Sequence, residues 1–283
     1  MSFSYTAVGG IALLSVALVA LGAFSLYARS RFKFWLAEAD KVSSQSGYVT
    51  PYVPRSSRLV LFLVTRIASW FFLGDLKIVG AEKIYESKTR LIICPNHQVE
   101  HDALVMSYII GARRWRFLAA IDQLTGRRAF WMAWLGVIPV DTHNVRRQVA
   151  VIAPVAEVLQ RENKSSFVMF PQGKLVDSNL LLPEDWKDGA SVIGQRVRQA
   201  TGEKFALLPV YIAYDRLPEQ ARLWQRALAK FGVSRAFCGK SVYGCKVVVG
   251  DPIEVDTNIG KKELTSQLFA AELALQANFN NSL

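Results

Sequence analysis

The feature that most constrains this chain is a set of short, unbroken apolar runs. Leu91, Ile92, Ile93 and Cys94 form one, Ser166 to Phe170 another, and Phe205 to Ile212, read as FALLPVYI, the longest. Runs of this length without polar alternation suit strands covered on both faces, as inside a mostly parallel sheet flanked by helices. Leu76 to Val79 and Tyr243 to Val249 read as further strands, and 261–277 as a closing helix. With 283 residues, the chain is long enough for one sizeable α/β core with additions rather than two independent domains.

The first run stops at Pro95 and opens onto a polar cluster, Asn96, His97, Gln98, Glu100, His101 and Asp102. Loops at strand ends are where sites are usually built. Asp102 precedes the apolar segment Ala103 to Ile110, a suitable place for a helix N-terminus. His97 can act as a general base, since the ordinary imidazole is largely neutral at cellular pH. Asp102 can reach back to its far ring nitrogen, fix the tautomer and stabilise the imidazolium. No serine or cysteine nucleophile is evident beside the pair, so its natural use is to activate a hydroxyl on a substrate. The competing reading is a polar run that only caps a helix.

NHQVEHD (96–102) resembles the NHxxxxD signature of the glycerolipid acyltransferase family, whose best-known members are the 1-acyl-sn-glycerol-3-phosphate acyltransferases. Three more blocks follow in family order: GVIPVD at 136–141, FPQG at 170–173 and LPV at 208–210. The resemblance implies an acyltransferase domain over 76–283, with His97 and Asp102 catalytic. It implies an acyl thioester donor, coenzyme A or acyl carrier protein, with no cofactor or metal held by the protein, and a lysolipid acceptor such as lysophosphatidate. The segment Trp186 to Ala190 resembles the start of the next family helix.

Departures from the family pattern fall on the acceptor side. Where family members that use lysophosphatidate carry an arginine after the second block, this chain has Thr142, and Arg146 and Arg147 follow as substitutes or as surface residues. In place of FPEGTR stand Gln172, Lys174 and Leu175. Gln172 keeps an acceptor oxygen but no charge, Gly173 lets backbone approach a substrate, and Lys174 is the nearby cation. Asn96, Arg146, Arg147, Gln172, Gly173 and Lys174 are therefore the candidate substrate-binding residues, Asn96 also as an oxyanion donor. A phosphate-free lipid acceptor, a thioesterase or lipid hydrolase, and a non-catalytic lipid-binding protein are the alternatives.

The N-terminal stretch points to a membrane. No charged residue occurs from Met1 to Ala28, and Ala7 to Tyr27 is apolar or small over about twenty residues, enough for a crossing helix. Arg29, Arg31 and Lys33 follow, which predicts an outside N-terminus and a cytoplasmic catalytic domain at an inner membrane of bacterial type. A cleaved signal peptide is the competing reading, without a basic leading segment to support it. Residues 1–58 thus read as anchor and linker. Leu59 to Gly74 is apolar but short and contains Arg66, so 59–75 reads as an amphipathic helix in the bilayer interface, with a buried core helix as the alternative. Arg113, Arg114 and Arg116 read as a solvated or lipid-facing cluster, and 127–134 (RRAFWMAW) suits the headgroup layer as well as ordinary helix packing. Leu217 to Phe231 reads as a basic amphipathic helix.

A net charge of +11 permits nucleic-acid binding, but no zinc spacing, RNA-binding motif or concentrated basic tail supports it, so no nucleic-acid partner is expected. Cys94, Cys238 and Cys245 have neither zinc nor disulfide spacing.

Overall fold

A computed structural model of the chain describes residues 30–51, 53–54, 57, 59–63, 65–66, 76–99, 102–111, 115–162, 166–176, 178–216 and 243–281. Helix α1 covers 30–44 and α2 the helical residues 59–63 and 65–66. Then follow β1 (Leu76–Val79), α3 (Glu82–Glu86), β2 (Arg90–Pro95), α4 (Asp102–Ile110), β3 (Trp115–Ala120), α5 (Gly126–Leu135), β4 (Ile138–Val140), α6 (Val145–Ala150), α7 (Ile152–Arg161) and β5 (Ser166–Val168). The chain closes with α8 (Gly189–Thr201), β6 (Phe205–Arg216), β7 (Tyr243–Val249), β8 (Ile253–Glu254) and α9 (Lys261–Asn281).

Among the described residues the sheet has eight strands in the order β1-β7-β6-β2-β5-β3-β4, with β8 also on β6. All pairings are parallel except those of β6 with β7 and with β8. The α/β expectation, mostly parallel and flanked by helices, matches this sheet. The unbroken apolar runs have the expected cause. Leu91 and Ile93 of β2 face one core with Val105, Met106 and Ile109 of α4, while Ile92 and Cys94 face another with α7, α8 and α9. β6 alternates in the same way and is longer than its sequence suggests, because it runs on past Ile212 to Arg216.

Pro209 lies inside β6 at a point where it costs no ladder bond. On one side β6 pairs with β8 up to Leu207 and with β7 from Val210, so Pro209 falls at the changeover. Its carbonyl accepts from Gly250 N at 2.9 Å, which turns the missing N–H toward that same gap. Pro154 has the opposite effect. One amphipathic helix is expected through Val149 to Leu159, but Pro154 cannot bond to the Ala150 carbonyl, and the helix divides at Val151 into α6 and α7.

The membrane elements of the sequence-based expectation need correction. Among the described residues no helix is long and apolar enough to cross a membrane. The expected membrane-bound enzyme, placed in an inner membrane by a transmembrane helix, thus finds no such helix among the described residues, and 7–27, the stretch that prompted it, lies outside them. The interfacial helix over 59–75 is corrected too. Its described part ends at Arg66, whose guanidinium donates to the Tyr108 hydroxyl at 2.8 Å and lies 4.0 Å over that ring, instead of reaching toward headgroups. Residues 67–75 and 217–231 also lie outside the described residues.

Two more surface assignments change. Arg116 is buried on β3, where it pairs with Glu162 and donates to Thr50 Oγ1 and the Gly136 carbonyl at 3.2 and 3.3 Å. Arg113 and Arg114 are outside the described residues. The polar stretch 41–58 is more than a linker: α1 runs to residue 44, and Trp35 and Val42 join the core on the α4 face.

Glu272 of α9 is fully buried, and neither of its carboxylate oxygens has a hydrogen-bond partner among the described residues. Burial pushes its carboxyl well above the ordinary value of 4.5, so the fold holds it neutral while the unfolded chain ionises it. Stability from this site is complete below 4.5 and is lost as pH rises toward the elevated folded value. Glu272→Gln should therefore gain on the native protein by about 1.4 kcal/mol per pH unit above the ordinary carboxyl range. Urea unfolding at pH 5 to 8 checks this, and parallel stability curves would count against it.

Candidate active site

The site is built where β2 and β5 end beside β6, which runs on past them. β2 lies between β5 and β6, and the chain leaves it toward α4 on one face. β2 stops at Pro95, but β6 continues and leaves main-chain groups facing the place β2 has vacated. The Asn96 carboxamide fills the gap: its Nδ2 donates to Ile212 O at 3.0 Å and its Oδ1 accepts from Ile212 N at 2.6 Å. Gln98 Nε2 adds a second bond to Ile212 O at 3.0 Å. One residue pair further on, the Asn179 carboxamide does the same for Tyr214, with bonds of 2.9 and 3.2 Å. Both polar atoms of Asn96 are thus engaged by β6.

His97 is the first side chain after that anchor. Its Nδ1 lies 2.9 Å from Asp102 Oδ2, bringing together the two residues expected to act as base and partner. The same Oδ2 accepts from the main-chain N–H groups of Gln98 at 2.6 Å and Val99 at 2.9 Å, as befits a carboxylate at the first turn of α4. Oδ1 accepts from the Tyr214 hydroxyl. Asp102 is fully buried, whereas the His97 side chain is 20% exposed. The tautomer of His97 that completes this set carries its proton on Nδ1 and donates it to Oδ2. Nε2 is left with its lone pair for a substrate.

Phe170, at the end of β5, stacks on His97 with ring centroids 3.9 Å apart and planes 18° from parallel. The stack and the Asp102 bond fix the ring in two directions. The turn after Phe170 is tied to the same residue: Gln172 Oε1 accepts from His97 N at 2.5 Å, and Val176 N donates to His97 O at 2.8 Å. Gln172 is buried. Gly173 adopts a φ of +62°, and a Cβ there would come within 3.3 Å of Lys187 Nζ. Lys187 N in turn donates to Pro171 O at 3.2 Å.

The expected cations are placed less favourably. Lys174 is drawn to the buried Asp185 at 2.6 Å. Arg147 pairs with Asp141 at 3.1 Å. Arg146 and Arg147 open α6 after β4, which is the third strand from β2, a lateral separation of roughly 14 Å. Leu175 is exposed. Cys94 cannot serve as a nucleophile, because it is fully buried and burial pushes its thiol well up. Among the described residues no group of three or more His, Cys, Asp or Glu is placed to hold a metal.

Three participants have contacts that the sequence motifs do not signal. Tyr214 was discoverable by continuing the alternation of Leu208, Val210 and Ile212 for two more residues, which puts it on the α4 face. Phe170 falls inside the FPQG block and Lys187 inside the 186–190 segment, but neither signals its partner, since nearness to His97 and Gly173 depends on tertiary placement. His101 lies outside the described residues.

Comparisons with known proteins fall on these same elements. Residues 75–213 match the acyltransferase family model. Among solved structures, the crystal structure of the 1-acyl-sn-glycerophosphate (LPA) acyltransferase, PlsC, from Thermotoga maritima is similar, with a TM-score of 0.54 and 15% identity over 78% of each chain. At that identity the likeness is one of fold. A search of curated proteins finds no match to the chain. The matched span contains β1 to the middle of β6, including His97, Asp102 and the turn at Gln172, so residues 75–213 resemble the acyltransferase family and adopt a fold shared with the Thermotoga maritima enzyme.

Proposed function

We propose that the domain transfers an acyl group directly from a thioester to the hydroxyl of a lysolipid, with His97 as general base. The supporting observation is the His97–Asp102 pair at 2.9 Å, with Nε2 left for a substrate and the adjacent Cys94 fully buried. A base without a protein nucleophile beside it works on a hydroxyl that a substrate brings.

In the forward reaction His97 Nε2 takes the hydroxyl proton as the acceptor oxygen bonds to the thioester carbonyl carbon. Asp102 stabilises the imidazolium that results. The carbon–sulfur bond then breaks, the thiolate takes the proton from His97, and the base is regenerated. Coenzyme A and acyl carrier protein are the thioester donors that suit this chemistry.

The acceptor is a lysolipid whose head need not be a phosphomonoester. Lys174 and Arg147 both enter ion pairs with the protein's own carboxylates, and Arg146 begins a helix three strands from the base. Gln172 supports the site by holding the His97 amide, and Gly173 lets its turn pack against the Lys187 side chain. Lysophosphatidate remains the reference acceptor against which others are compared.

His97→Ala should lower kcat by about 10³-fold without unfolding the protein, followed with a labelled acyl thioester. Thiol release that is undiminished without any lysolipid would overturn transfer in favour of hydrolysis. In acceptor competition, zwitterionic or phosphate-free lysolipids should react at least as well as lysophosphatidate. A strong preference for lysophosphatidate would show that Arg146, Arg147 or Lys174 releases its partner to bind phosphate.

A further inference from the structure

We infer that Tyr214 is a positioning residue that sets the proton affinity of His97 by acting through Asp102. The inference rests on the base role proposed for His97, but its geometry stands separately. Tyr214 is buried on β6, and its hydroxyl donates to Asp102 Oδ1, the one carboxylate oxygen that His97 and the loop amides leave to it. Its main chain is fixed by the Asn179 carboxamide at 2.9 and 3.2 Å, so the phenol is held from both ends.

The chemistry follows from the sharing of one negative charge. Each donor to Asp102 draws charge away from the bond to His97 and weakens the pull of the carboxylate on the imidazolium. The phenol is the only one of these donors that belongs to a side chain other than the base. It is also a donor that does not ionise in competition with Asp102, because burial first, and then the Asp102 charge, hold its proton on. Among the described residues, the titratable groups facing it are Asp102 from α4, Cys245 from β7, which is hydrogen-bonded to the phenol, and His97 beyond Asp102.

Tyr214→Phe keeps the ring in the core and removes only the donor. Asp102 then pulls harder on protonated His97, and the imidazole pKa should rise by about half a unit to one unit, a three- to tenfold gain in proton affinity. The chain has only three histidines, so a nitrogen-15 NMR titration resolves His97, assigned by its loss in His97→Ala. The acid limb of kcat/KM against pH should move up with it while KM changes little. In an Asp102→Asn background the same substitution should have no effect, because the coupling runs through the carboxylate. Cys245→Val should leave the titration in place.

Fluorotyrosine incorporated throughout the native sequence makes the phenol a stronger donor and should move His97 the other way. That arm needs no destabilising substitution. An unchanged His97 titration in both Tyr214→Phe and the fluorotyrosine protein would overturn the inference and leave Tyr214 a packing residue. A shifted titration in a protein that transfers no acyl group would uphold the coupling and count against the proposed function instead.

Discussion

Everything at the site depends on two neighbouring strands having unequal lengths. β6 outruns β2, and a bare strand edge inside a protein leaves main-chain donors and acceptors without partners. Asn96 and Asn179 resolve this with carboxamides, each of which presents a donor and an acceptor spaced like a peptide group and so stands in for the missing strand at Ile212 and Tyr214. The substitution frees the chain after Pro95 from the sheet direction. It can then turn sharply enough for His97 to face Asp102 five residues later. Without the carboxamide ladder, β2 would have to continue, and residue 97 would be one more strand position.

The electrostatics around that turn are arranged to concentrate one charge. Asp102 is buried with four donors on its two oxygens among the described residues, while two of the candidate cations are occupied elsewhere, Lys174 by Asp185 and Arg147 by Asp141. Gln172 fits the same logic. A glutamate at that position would place a second carboxylate against the His97 main chain, whereas the amide oxygen accepts the His97 N–H without adding charge. The Phe170 ring covers one face of the imidazole with apolar surface.

The strands and the base pair were legible because each is a local pattern. β2 announces itself by four apolar residues and a proline, and His97 and Asp102 by their spacing across a strand-to-helix turn. What resisted reading was whatever depends on residues far apart in the chain. Arg116 looks like one of three surface arginines until Glu162 is seen to meet it inside the fold. Lys174 looks like a free cation until Asp185 folds back onto it. Arg66 looks suited to a lipid headgroup in an apolar stretch, but Tyr108 supplies both a ring and a hydroxyl for it. The extent of β6 was underestimated for a related reason: polar Tyr214 and Asp215 read as the end of a strand when only apolar character is followed.

The strand order also fixes when the domain can become whole. Among the described residues β1, the first strand of the sheet, pairs only with β7, and Leu76 meets Cys245 across roughly 170 residues of intervening chain. β2 likewise waits for β6 before its second edge is covered. As the chain emerges during synthesis, β2, β3, β4 and β5 can assemble in sequence, but β1 has no partner until nearly all of the protein is available. Closure of so distant a contact makes this a slow-folding topology by nature. It also leaves the apolar strands of the nascent chain in need of protection until β7 arrives.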